Sequence, residues 1–387
     1  MDYLFNEMQV MIRDIARKIA DEKIRPVAAH HDETGEFPWD IMKIVADSDL
    51  FGIYIDEQYG GMGGGCTELA IATEELSKAC GGIAVCYAAS ALGTYPIILY
   101  GNDEQKKKYL PDLAAGKKLA AFGLTEPNAG SDAGAIETTA TKTKDGKYYI
   151  LNGTKQWITN GGEAEIYTVV AMTDKNKGAR GASTFIVEKD TPGFTFGKKE
   201  DKMGIRASAT RELIFQDCKV PKENLLGREG IGFIVAMKTF DMSRPGVAAQ
   251  AVGIAAGALD HAVKYARERE QFGKPISAFQ GIQFMLADMA TKVEAARALV
   301  YSAARMIDAG HDKAAKESAM AKLFASDVAM EVTTDAVQVF GGYGYMKEYP
   351  VEKYMRDAKI TQIYEGTNQI QRSIIATNLI KESAGKK

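Results

Sequence analysis

Near the end of the 387-residue chain, Tyr364-Glu365-Gly366-Thr367-Asn368-Gln369 sets one carboxylate between an aromatic ring and a glycine. A carboxylate held against apolar surface is disfavoured as an anion, so its proton affinity rises toward neutral pH. That is what a base needs to take a weakly acidic proton from carbon. Gly366 lets a ligand and the backbone approach closely. Alone, Glu365 reads as an ordinary surface glutamate; its company elsewhere in the chain argues otherwise.

Five other stretches supply that company. Phe122-Gly123-Leu124-Thr125-Glu126-Pro127-Asn128-Ala129-Gly130-Ser131 carries small residues that expose backbone N–H groups, and two hydroxyls six positions apart. It suits a planar polar ring or a pyrophosphate, and equally an interdomain turn. In Gln156-Trp157-Ile158-Thr159-Asn160, an indole beside a hydroxyl could cover one face of an aromatic cofactor; a core tryptophan of a β unit fits as well. Arg269, with Phe272-Gly273-Lys274-Pro275 and then Gln280, offers a guanidinium and a turn for a diphosphate, or a solvated helix end. Gln338-Val339-Phe340-Gly341-Gly342 permits close backbone approach. Asp241 and Arg244 are a lone acid and base entering a helical region. No G-x-S-x-G, Walker or H-E-x-x-H pattern occurs. Five glycines between Gly60 and Gly65 lack the G-x-G-x-x-G spacing and read as a loop, and His30-His31-Asp32-Glu33 reads as a polar turn.

The elements that must position these residues fall into three blocks. Met8, Met11, Ile12, Ile15 and Ile19 recur at three- and four-residue steps, predicting an amphipathic helix closed by Pro26. Further helices are expected from Trp39, from Thr67 and from Gly81, and the charges of Asn102 to Leu110 predict a solvated face. From about Ala121 the texture becomes β: Tyr148 to Leu151, Tyr167 to Val170, Thr184 to Val187 and Leu213 to Phe215 are short runs separated by turn residues. After Gly232 strand signals vanish. Ala248 to Arg269, Gly281 to Ala309 and Ala315 to Phe340 predict long antiparallel helices, the last with an apolar stripe through Met320, Leu323, Phe324, Val328, Val332, Ala336 and Val339. The expected domains are helical 1–121, a β-barrel or sandwich 122–228, and a helical bundle 229–387.

Hydrophobic residues make up 46% and charged residues 26% of the chain, ordinary for a globular protein. A net charge of −3 gives no field favouring nucleic acid or anionic membranes. No apolar run reaches the roughly 18 residues of a spanning helix, and the acidic N-terminus resembles neither a signal nor a transit peptide. The expectation is a cytosolic protein, prokaryotic in character, or a matrix protein if a presequence was removed. Four cysteines without paired spacing read as reduced thiols.

Taken in this order and spacing, the stretches resemble the acyl-CoA dehydrogenase flavoproteins, and most closely their short- and medium-chain, butyryl-type branch. The resemblance covers essentially the whole chain; Asp56, where many members carry proline, is a small departure. It implies a multidomain α+β fold, with a helical N-terminal domain, a β-barrel middle domain and a C-terminal four-helix bundle. It further implies FAD, an acyl-CoA substrate, electron-transferring flavoprotein as partner, and a homotetramer built as a dimer of dimers. Carried over, Glu365 falls on the catalytic base, since Ser243, the alternative position in some members, cannot serve. Phe122, Leu124, Thr125, Ser131, Trp157, Ile158 and Thr159 would hold the flavin. Arg269, Phe272, Gln280, Gln338, Val339, Gly341, Gly342, Thr367 and Gln369 would hold the dinucleotide across a subunit boundary. Ser131, Asp241, Arg244, Tyr364 and Gly366 would contact the substrate. Rival expectations are a reductase or an oxidase on the same fold, a flavin-bearing nucleic-acid binder, and a dehydrogenase for cyclic or branched acyl chains, for which the small side chains of Ala88 to Gly93 leave width.

Overall fold

A computed structural model describes residues 3–311 and 314–384. The chain begins with helices α1 (Glu7–Ile19), α2 (Ala28–Thr34), α3 (Trp39–Asp47), α4 (Cys66–Ser77), α5 (Gly81–Tyr100) and α6 (Asp103–Ala114). Asn6 and Gln9 cap α1 reciprocally: each side chain accepts from the other's backbone N–H, at 2.8 and 3.1 Å. The buried face of α1 is Ile12, Ala16 and Ile19, whereas Met11 is exposed. Pro26 lies in the turn that ends this segment, as expected. The charged run before Leu110 is not wholly a solvated face. Tyr109, Leu110, Leu113 and Ala114 recur at helical spacing and put one side of α6 in the core.

Next come β1 (Ala120–Gly123), β2 (Thr139–Lys142), β3 (Tyr148–Thr159), β4 (Ile166–Met172), β5 (Ala182–Glu188), β6 (Phe194–Phe196), β7 (Thr210–Pro221) and β8 (Leu225–Leu226). They form one eight-stranded mixed sheet in the order β6-β7-β3-β2-β4-β5-β8, with β1 added in parallel to β4. The antiparallel register of β3 on β7 shifts between Lys155 and Ile158. That bulge re-aims the backbone at Trp157, as bulges do beside functional sites.

Helix α7 (Gly232–Glu268) opens the last block, followed by the hairpin β9 (Glu270–Gln271) and β10 (Lys274–Pro275). Helices α8 (Gln280–Asp308), α9 (Ala314–Phe340), α10 (Val351–Thr361) and α11 (Asn368–Ala384) complete it. Helix α7 starts 16 residues before the expected Ala248 and runs through Pro245. A proline inside a helix deprives the carbonyl four residues earlier of its donor. Here the Ser318 hydroxyl of α9 donates to that carbonyl, of Asp241, at 2.9 Å. Helices α7, α8, α9 and α10 pack into the bundle, α11 lies along α9, and α4 and α5 pack on α7. On α9, Val328, Val332, Ala336 and Val339 are buried as expected, but Phe324 is exposed, while Lys322 and Ser326 share the buried face.

Two helices, α5 and α7, are long and apolar enough to span a membrane by length and composition, contrary to the sequence expectation. In each, 78% of the apolar window is buried inside the protein, so both are core helices. Both carry alanines and glycines among their larger apolar residues, which let neighbouring backbones approach closely. All four cysteines are buried and unpaired.

Candidate active site

Five segments converge on a cavity of about 120 Å³. Helix α5 contributes Val85, Ala88, Ala89 and Leu92; the end of β1 contributes Phe122, Leu124 and Thr125; and the β3 bulge contributes Trp157, Ile158 and Thr159. Phe240, Val247 and Gln250 of α7 and the loop residues Tyr364 and Glu365 close it.

Glu365 adopts φ 50° and Gly366 φ 90°. A non-glycine residue held left-handed costs on the order of 1–3 kcal/mol and persists only where its surroundings fix it. They do so here. The Gln371 amide donates to the Glu365 and Gly366 carbonyls at 3.1 and 2.9 Å, and Lys322 Nζ donates to the Gly366 carbonyl at 2.8 Å. The Ser243 hydroxyl donates to Glu365 Oε2 at 2.5 Å. Burial raises the Glu365 pKa above the usual carboxylate value, opposed by the Ser243 hydrogen bond and the charges of Arg244 and Lys322. Among the described residues the Glu365 N–H has no acceptor, so it remains available to a ligand oxygen.

Arg244 is buried beside this carboxylate and paired with Asp241 at 3.0 Å. Among the described residues its Nε is a buried donor with no acceptor. Burial raises the Asp241 carboxyl pKa, with Arg244 opposing. Tyr364 donates its hydroxyl to Gln250 Oε1, and the Gln250 amide donates to the Gly81 carbonyl at 3.0 Å. That bridge puts a polar stop on one wall of an otherwise mainly apolar cavity.

Trp157 sits at φ 57° with 60% of its surface exposed, so it is not a core residue of the sheet. The Gln156 N–H donates to the Thr125 carbonyl at 2.8 Å, tying the tryptophan stretch to the Phe122–Thr125 stretch. Behind both, Lys155 Nζ is wholly buried, donating to Glu126 at 2.6 Å and to the Leu124 carbonyl at 3.1 Å. An exposed indole flanked by two threonines in one concave wall fits a flat heteroaromatic ring with a polar edge.

A second cavity, of about 510 Å³, gathers Arg269, Val339, Gly341 and Gly342 with Tyr265, Gln271, Ile276, Phe340, Tyr343 and Met346. The Arg269 guanidinium lies 5.3 Å from the Tyr343 ring centroid. No atom lies within 4 Å of where a Cβ would sit on Gly341 or Gly342, and Gly341 has φ 61°, so a ligand can approach that backbone. Phe272, 94% exposed, tips the β9–β10 hairpin, and Gln280, Gln338 and Gln369 are also exposed; none of the four lines either cavity. Ser131 is likewise exposed outside both, and Thr367 accepts from the Ile370 N–H at 3.3 Å at the start of α11. One chain therefore joins the flavin-type and base residues, and separately the diphosphate-type residues. Sequence reasoning missed Gln250, Phe240, Lys155 and Lys322, and it dismissed Ser243 as a base without seeing it as a donor. Lys322 carried a signal: with Ser326, Ala329 and Thr333 it marks one helical stripe, all buried.

Comparison with known families settles the lineage of this fold. Descriptions of the acyl-CoA dehydrogenase N-terminal, middle and C-terminal domains match residues 6–117, 121–218 and 230–380. This chain belongs to the acyl-CoA dehydrogenase family. Among acyl-CoA dehydrogenases, a short-chain-specific enzyme of Clostridium acetobutylicum is 49% identical over 98% of this chain and 100% of its own length. An acryloyl-CoA reductase (NADH) of Anaerotignum propionicum is 51% identical over 98% of this chain and 96% of its own. Butyryl-CoA dehydrogenase of Megasphaera elsdenii superposes with a TM-score of 0.96 at 51% identity, covering 98% of this chain and 100% of that one. A chain solved in work on the electron transferring flavoprotein of Acidaminococcus fermentans gives 0.95 at 54% identity, covering 98% and 99%.

Proposed function

We propose that this acyl-CoA dehydrogenase removes the α-proton of a short-chain acyl-CoA thioester with Glu365 as base, giving the trans-2-enoyl-CoA. The observation that carries the reading is Glu365 itself: a carboxylate of raised basicity, in a cavity it shares with Trp157 and Thr159.

FAD, when bound, supplies the hydride acceptor. Thr125, Trp157, Ile158 and Thr159, with Phe122 and Leu124, would hold its ring. Arg269, Val339, Gly341 and Gly342 would hold its diphosphate portion. Since these two sets lie in separate cavities of one chain, the second would come from a neighbouring copy, as in the homotetramer, a dimer of dimers, that the family resemblance implies. The peripheral Phe272, Gln280, Gln338, Thr367, Gln369 and Ser131 then belong to that shared boundary.

The residues of this chain do the acid–base work. A thioester α-proton is too weakly acidic for a solvated carboxylate, so desolvation must raise the base's proton affinity, as it does at Glu365. The free N–H of Glu365 is placed to donate to the thioester oxygen, where negative charge grows as the proton leaves. Val85, Leu92, Phe122, Phe240 and Val247 keep water from the reacting carbons, and Tyr364 and Gly366 border the thioester. Arg244 and Asp241 offer a donor and an acceptor to the polar part of the substrate. The Gln250–Tyr364 bridge shortens the acyl channel, which favours short straight chains over the ring substrates that Ala88 and Ala89 alone would admit.

Electrons would pass to an electron-transferring flavoprotein in the cytoplasm. The likeness to an acryloyl-CoA reductase supports a second reading, in which the same site works toward saturation and Glu365 delivers the proton. Glu365→Gln decides the central claim: the variant is expected to bind FAD normally and not to bleach with butyryl-CoA under anaerobic conditions. Bleaching at the wild-type rate removes Glu365 from the role. A panel of straight, branched and cyclic thioesters tests the chain-length reading.

A further inference from the structure

Resting on the reading of Glu365 as base, we propose that Lys322 is the positioning residue of the active site, a buried cation beneath the base loop that fixes the loop's left-handed turn and lowers the proton affinity of its carboxylate. Lys322 is wholly buried in α9, 43 residues before Glu365 in sequence. Its ammonium donates to the Gly366 carbonyl at 2.8 Å and to Asn368 Oδ1 at 2.9 Å. It therefore grips the residue after the base and the first residue of α11. The Asn368 amide in turn donates to Ser326 Oγ at 2.9 Å and Asp327 Oδ1 at 2.8 Å, returning the network to α9.

A neutral donor would suffice to hold a carbonyl. Burying a charged one is costly unless opposite charge and hydrogen bonds compensate it. No carboxylate is hydrogen-bonded to Lys322 among the described residues; its acceptors are both uncharged. The charged groups that act on it are Glu365 from the loop, Arg244 from α7 and Asp327 from α9 itself, and burial takes its pKa down to about 7. The ammonium is thus near enough to influence Glu365 electrostatically, yet it spends its hydrogen bonds on the backbone. Lys322 thus adds no donor of its own to the Glu365 carboxylate, which the Ser243 hydroxyl already bonds, while its charge opposes the rise that burial imposes on the base.

The test uses the full-length holoenzyme with Lys322→Met and Lys322→Arg, read by exchange of the substrate α-proton into D₂O against pH and by bound flavin. For Met, loss of the cation is expected to move the acidic limb of the exchange profile upward by roughly one pH unit, and to slow exchange on that limb by up to about tenfold. The Arg variant is expected to return the limb to its wild-type position. An unmoved limb in a Met variant that keeps its flavin overturns the proposal, because a purely structural lysine would change stability and not the limb. If the Met chain does not fold, an upward-shifted limb in the Arg variant overturns it, and a limb at or below the wild-type position supports it. Glu365→Gln, run alongside, separates the two readings: full exchange there sinks the base assignment, whereas loss of exchange there with an unmoved Lys322→Met limb sinks only this one.

Discussion

Two glutamates in this molecule sit close to a buried lysine behind a ligand-facing loop, and they meet opposite fates. Glu126, in the middle domain, binds Lys155 directly at 2.6 Å and also accepts from the Glu137 and Thr138 N–H groups at 2.6 and 3.0 Å. Burial alone would raise its pKa, but Lys155 and these donors bring it below the ordinary carboxylate value. Glu365 sits near Lys322, whose ammonium is spent on the Gly366 carbonyl and Asn368, and burial leaves its pKa raised. A carboxylate saturated by donors is a structural anion. One that receives a single hydroxyl bond, from Ser243, and only the field of nearby cations can still take a proton.

The largest expected effects come from exchanging these roles. Glu365→Gln is expected to lower turnover by at least about 10²–10⁴-fold with little change in unfolding temperature. Glu126→Gln is expected to do the reverse: removing one partner of a buried pair costs about 3–5 kcal/mol, read by denaturant unfolding, while the pH profile of the remaining activity stays put. If Glu126→Gln moved the acidic limb and left stability intact, the contrast between the two sites would fail.

The pH dependences should share a sign but fall in different windows. Because the folded-state pKa of Glu126 is lowered, its stabilisation is present above the unfolded glutamate value and is lost as pH falls through the folded one; Glu126→Gln should flatten that acid limb of stability. Turnover, by contrast, should decline as pH falls through the raised pKa of Glu365, at a pH above that of an ordinary glutamate. The smallest effect belongs to Ser243→Ala. Loss of one hydroxyl donor to an anion should raise the Glu365 limb further, by about one pH unit or less. A downward shift would show that Ser243 does not bond the ionised form.

Much of the candidate site was legible before any coordinates, because it is local. Tyr364-Glu365-Gly366, Trp157-Ile158-Thr159 and Phe122 to Thr125 are short runs whose residue types announce a base, a ring face and a polar edge. Helical periods and turn residues likewise marked the three blocks. The misses share one cause. The helix expected from Ala248 begins at Gly232, because Ser318, 73 residues past Pro245, supplies the donor that this proline denies to Asp241. Whether Trp157 is a core residue or a ring face stays open in the sequence, because a register shift between β3 and β7 is what turns it outward. Nothing in a linear pattern pairs Lys155 with Glu126, or sets Lys322 under Gly366.

The sequence by itself determined which side chains are capable of chemistry and which segments are helix or strand, since propensity, period and turn chemistry act within a few residues. Only the tertiary structure decided their protonation and reach. A pKa depends on desolvation and on charges brought within a few ångströms from distant segments, so the same glutamate becomes an anchor beside Lys155 and a base above Lys322.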